Sequence, residues 1–167
     1  PTGSVGQNGA SYGGGGGGGG NYSGKGGNGA AGVATITYST SALANLGLTL
    51  TTTSGTISVG TVGASQALGS LTTSVGGGTS LTGTGVTTTG AQTYNNAVTL
   101  SADNSFGTTN SAILFAGTVN SSNSTARALS ANVGTSNITF TGAVGGAQGL
   151  GNISLTSTGI TTFSSTV

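Results

Sequence analysis

Three side chains in this 167-residue chain carry a charge: Lys25, Asp103 and Arg127. There is no His, Cys, Met or Trp. Catalysis by acids, bases or nucleophiles needs such groups in pairs or triads, and a lone carboxylate offers no partner. Carboxylate-pair hydrolysis and His/Cys metal sites are excluded on these grounds. Gly19, Gly24 and Lys25 satisfy most of the phosphate-binding pattern G-x-x-x-x-G-K. However, Gly26 occupies the place of the Ser or Thr that would hold magnesium, and no helical pattern follows. The expectation is a protein that is not an enzyme and takes no metal or cofactor.

Charged residues are 2% of the chain, against about 25% in an ordinary soluble domain. A net charge of +1 makes no basic face for nucleic acid. Nothing approaches the ~20 apolar residues of a membrane-spanning helix. Hydroxyls, amides and backbone must therefore provide the solubility, a balance suited to a long-lived extracellular or cell-surface object in which association is tolerated. The chain begins at Pro1 with no basic-then-apolar leader, so either a signal has been removed or the chain is a fragment. Without cysteine, a secreted form has no disulfides to rely on.

Composition divides the chain into a glycine-rich segment, 1–32, and a Thr/Ser/Gly-rich region, 33–167, with strand-like alternation. Strand candidates are 32–41, 46–53, 55–62, 92–102, 112–119, 126–133, 137–144, 152–158 and 160–167, and no helix is predicted. VGASQALGSL at 62–71 returns as VGGAQGLGNI at 144–153, and GVTTTG at 85–90 returns as GITTFS at 159–164. These matches suggest a long unit that lost eight residues between its two motifs. A shorter beat runs through TYNNAV, LFAGTV, TFTGAV and TFSSTV. Their aromatics, Tyr94, Phe115, Phe140 and Phe163, are spaced by 21, 25 and 23 residues, which is solenoid spacing. The predicted fold is all-β, a right-handed parallel β-solenoid of about six coils forming a rod of ~30 Å, with a glycine-rich N-terminal segment. Tyr94, Phe115, Phe140 and Phe163 would form an interior stack, with Gly and Asn at the corners. A β-sandwich subunit is the alternative reading of the same alternation.

The phrases GVTTTGAQTYNNAVTLSAD (85–103), ILFAGTVNS (113–121) and ITFTGAVGGAQGLGNISLTSTGITTF (138–163) resemble repeats of filamentous-haemagglutinin-like and autotransporter-like bacterial surface adhesins. This resemblance implies an extracellular parallel β-helix stalk that projects binding regions from the cell and carries no catalytic residues. GNGAAGVATITYS (27–39) also resembles the ends of glycine-rich regions in phage tail and adhesin proteins.

The glycine run bracketed by Tyr12 and Tyr22 reads either as a flexible linker or as closely packed strands without side chains to separate them. On the second reading, Tyr12, Gly13, Gly20, Tyr22 and Gly29 take part in assembly or binding. Asn21, Asn120, Asn123, Asn137 and Asn152 begin N-x-S/T sequons that would accept glycans. Asp103 with Asn104 suggests an Asx turn, and Arg127 a solvated strand residue. The functional expectation is an extracellular structural protein, a self-associating filament subunit or adhesin stalk. The alternative is a module binding glycans or a host or neighbouring cell's surface through the Gly/Tyr head.

Overall fold

The computed structural model describes residues 46–74 and 76–167. The readings placed on residues 1–45, namely the glycine-rich segment, its boundary at 32, the strand at 32–41, Tyr12, Gly13, Gly20, Asn21, Tyr22 and Gly29, lie outside the described residues.

The described chain is all-β and winds as a right-handed parallel solenoid of about five turns. The first coil contributes β1 (Gly47–Leu50) and β2 (Ile57–Val59). The second contributes β3 (Ser70–Thr73), β4 (Gly78–Leu81) and β5 (Gly85–Thr87). The third contributes β6 (Gln92–Tyr94), β7 (Ala97–Leu100) and β8 (Asn104–Gly107). The fourth contributes β9 (Ile113–Phe115), β10 (Val119–Ser121) and β11 (Leu129–Asn132). β12 (Ile138–Phe140) and β13 (Ile153–Thr156) form the fifth, and β14 (Thr161–Phe163) opens the sixth. Stacking the coils makes three parallel sheets. The first has six strands in the order β1-β3-β6-β9-β12-β14, the second is β10-β7-β4-β2, and the third is β13-β11-β8-β5. Each coil is its own crossover, so parallel pairing needs no helix, and its hand is the one that twisted strands favour.

Alternation sets which residues turn inward. In the first sheet Leu71, Thr73, Gln92, Tyr94, Ile113, Phe115, Ile138 and Phe140 are all fully buried, while the residue between each pair is half-buried on the outer face. In-register pairing then superposes like on like. Tyr94 pairs with Phe115, Phe115 with Phe140 and Phe140 with Phe163, while Val98 pairs with Thr79 on one side and Val119 on the other. The core is thus one connected cluster built of vertical columns, and it carries no charge.

Two features differ from the sequence reading. The stretches 92–102, 112–119 and 137–144 are not single strands, because after β6, β9 and β12 the chain turns the corner from the first sheet to the second, at Asn95 and Asn96 before β7, ahead of Val119 in β10 and ahead of the Val144 bridge. The long repeat also does not mark a coil period. In 62–71 the chain passes from the third sheet, where Val62 bridges Val86, to β3 in the first. In 144–153 it passes from the second sheet, where Val144 bridges Val119, to β13 in the third. The shared phrase is a corner piece used at two different edges. Its glycine holds the same left-handed backbone in both copies, with φ of 75° at Gly63 and 72° at Gly145, a conformation that disfavours any side chain with a Cβ.

Candidate functional site

The most ordered chemistry of the described residues lies inside the first sheet. The rings of Tyr94, Phe115, Phe140 and Phe163 stack with centroids 4.9, 4.8 and 4.7 Å apart and planes within 7° of parallel. Phe106, from the third sheet, meets Tyr94 and Phe115 edge-on at 5.7 and 5.2 Å. Phe163 ends the stack and is 37% exposed. Offset-stacked and edge-to-face pairs each add about 0.5–1.5 kcal/mol beyond burial.

Beside Tyr94 lies a buried amide to which the sequence reading gave no role. Gln92 fills a register position that Leu71 and Ile113 fill in the neighbouring coils. Its Nε2 donates toward the carbonyl oxygens of Val86 (3.1 Å) and Gly107 (2.9 Å) and toward Thr88 Oγ1 (3.2 Å), while its Oε1 accepts from the Tyr94 hydroxyl at 3.1 Å. This explains a tyrosine in a column otherwise continued by phenylalanine, since a buried hydroxyl needs a partner. The sequence held one clue, Gln-Thr-Tyr where the later coils have Ile-Leu-Phe and Ile-Thr-Phe. At the next corner Asn96 Oδ1 accepts from Thr73 and Thr79 hydroxyls at 3.1 and 2.8 Å, and its buried Nδ2 has no partner among the described residues.

Burial pushes the Tyr94 phenol upward from its ordinary 10.0, because the phenolate would be stripped of water. The folded state therefore holds this proton more tightly than the unfolded state. Stability owed to the neutral phenol is complete below about pH 10 and falls above it, by at most about 1.4 kcal/mol per pH unit. Urea midpoints measured from pH 8 to 11 are expected to drop above pH 10. Tyr94→Phe should remove that portion of the slope, and an identical slope in the variant would count against it.

The described sequon asparagines mostly have structural work. Asn120 Oδ1 accepts the amides of Ala147 (2.9 Å) and Gln148 (3.2 Å), tying the corner loop of the fifth coil to the fourth. Asn137 Oδ1 accepts the Ile160 amide at 2.8 Å, also across coils. Asn123 Oδ1 accepts from its own Thr125 amide at 2.9 Å on an exposed corner, and Asn152 is exposed just ahead of β13.

Asp103 does not cap its own turn. Its Oδ1 accepts from the Ala128 amide, one coil further on, at 2.9 Å, while Asn104 is buried in β8 and donates to the Ala102 carbonyl at 2.8 Å. Arg127 precedes β11 rather than lying within a strand. It is half-buried, its amide donates to Ser121 Oγ at 2.9 Å, and its enclosed Nε has no partner among the described residues.

Among the described residues no group of three or more His, Cys, Asp or Glu comes together, and no helix is long and apolar enough to cross a membrane. No protein-family model, curated protein or solved structure matches the chain.

Proposed function

We propose that this chain is an extracellular structural protein rather than an enzyme, a filament subunit or a stalk segment of a large surface adhesin. One observation carries the reading: the described residues spend their sequence on making length. Each coil of roughly two dozen residues adds one rung, and its interior is filled by columns that any further rung could continue. A stack of this kind transmits position along its axis without specialised side chains. Low charge supports the same reading, because little electrostatic repulsion opposes end-to-end or lateral association.

The test is electron microscopy of native material, with antibody labelling of intact cells that make the protein. Unbranched filaments or stalks on the cell exterior are expected, with an axial repeat near 4.8 Å in aligned specimens. Dispersed monomers over a wide concentration range, with no labelling of unbroken cells, would overturn the proposal.

A further inference from the structure

The outer face of the first sheet carries a row that the inner columns do not explain. Register places Thr49 beside Thr72, Thr72 beside Thr93, Thr93 beside Leu114, Leu114 beside Thr139, and Thr139 beside Thr162. Five of the six outward central positions are thus threonine. None of these five hydroxyls makes a hydrogen bond within the described chain. The other two outer faces also carry hydroxyls, some used internally and some, such as those of Ser58, Thr99, Ser105 and Ser154, making no hydrogen bond among the described residues, but neither repeats threonine over five rungs. Ser80 meets Ser101 at 3.3 Å and Asn120 holds the loop above it, while Asn132 Oδ1 accepts from the Gly134 amide at 3.2 Å.

The row is also regular. In-register pairing sets one rise per coil, and the ring centroids behind the row from β6 to β14 are accordingly 4.7–4.9 Å apart. The aromatic column thus stands behind a face on which threonine methyls and hydroxyls recur at one rise per coil, interrupted at Leu114.

We infer that this threonine face binds ice, holding rows of water in the positions they take at an ice surface. Three properties select that occupant. The row is uncharged, which removes the basis for recognising phosphate, membrane headgroups or an oppositely charged protein. Tyr94, Phe115 and Phe140 are buried behind it, so the face offers no aromatic platform for a sugar ring. A hydroxyl and a methyl repeated at five of six rungs can bridge and align waters individually at little cost in immobilisation, and an in-register row does this at several rungs at once. The inference goes beyond the structural role and does not depend on it.

The purified full chain is tested for ice-crystal shaping and for a gap between melting and freezing points, beside an uncharged control protein at equal mass concentration. The wild type should facet ice and open a measurable gap. T93K/T139K, both outward substitutions, should close the gap to the control value while circular dichroism and the urea midpoint stay unchanged. L114T completes the row with the residue its neighbours already carry and should widen the gap. A wild type indistinguishable from the control overturns the inference, as does an unchanged gap in folded T93K/T139K. An L114T variant with no gain also overturns it, and this arm holds even if the lysine variant fails to fold. Retention on crystalline cellulose or chitin, lost in T93K/T139K without any ice activity, would assign the face to polysaccharide instead. Filaments that persist in T93K/T139K leave the structural role standing whichever way the ice result falls.

Discussion

Phe115→Ala should cost about 3–5 kcal/mol of unfolding free energy, the range for deleting a fully buried aromatic. The ring lies between Tyr94 and Phe140 at 4.9 and 4.8 Å and meets the edge of Phe106 at 5.2 Å, with no exposure to solvent. Truncation opens a gap in the middle of a column whose neighbours are held in place by strand register. Collapse into that gap would require the rungs on either side to leave their hydrogen bonds. Domain stabilities are about 5–15 kcal/mol, so the variant should lose a large share of its margin. Urea unfolding followed by far-ultraviolet circular dichroism should show the midpoint falling sharply. Phe163→Ala supplies the internal comparison. That ring already has one face open, so it should lose clearly less, and equal losses at the two positions would contradict the column as the seat of stability.

The second large effect lies at the corner between the first and second sheets. A Cβ placed on Gly117 would sit 2.4 Å from the carbonyl carbon of Asn96 and 2.5 Å from the Ala97 nitrogen. On Gly142 it would sit 2.5 Å from the carbonyl carbon and oxygen of Gly117. The obstructing atoms are backbone, so no rotamer change relieves the clash, and the coils must move apart at that edge. Gly117→Ala and Gly142→Ala should each cost about 1–3 kcal/mol, the usual range for overpacking. Gly149→Ala is the control, because nothing lies within 4 Å of its Cβ position. It should stay within about 0.5 kcal/mol of the wild type. A tolerated alanine at Gly117 would mean that the coils are not in contact there.

The parallel coiling was legible because aromatic residues are few and recur at nearly one coil length. Tyr94, Phe115, Phe140 and Phe163 stand out against a background of Thr, Ser and Gly, so their spacing reports the circumference of the solenoid directly. Strands made of that background were harder to see. β3, β4 and β5 occupy a stretch, Ser70 to Thr87, where threonine and serine serve both inside and outside. Thr79 is buried whereas Ser80 faces outward, and hydropathy barely distinguishes them. The break at Asn95 and Asn96 was hidden for a related reason, since alternation in burial continues across it from Gln92 to Leu100 even though the chain changes direction. The outer threonine row was invisible for a geometric reason. Its members lie 21 to 25 residues apart, and only the strand register shows that they are neighbours.

The corner piece that recurs at 62–71 and 144–153 bears on how such a chain can change over time. Because one phrase turns the backbone at two different edges, the edges are interchangeable parts, and a duplication need not span whole circuits to be accommodated. Circuits of 21 residues stack directly against circuits of 25 while the rings keep their spacing, so extra residues are taken up in the bends and leave the walls untouched. A gene encoding this architecture can therefore accept small insertions at its bends and duplicated fragments of uneven length, drifting in sequence and in size while the thickness and pitch of the encoded rod hold constant.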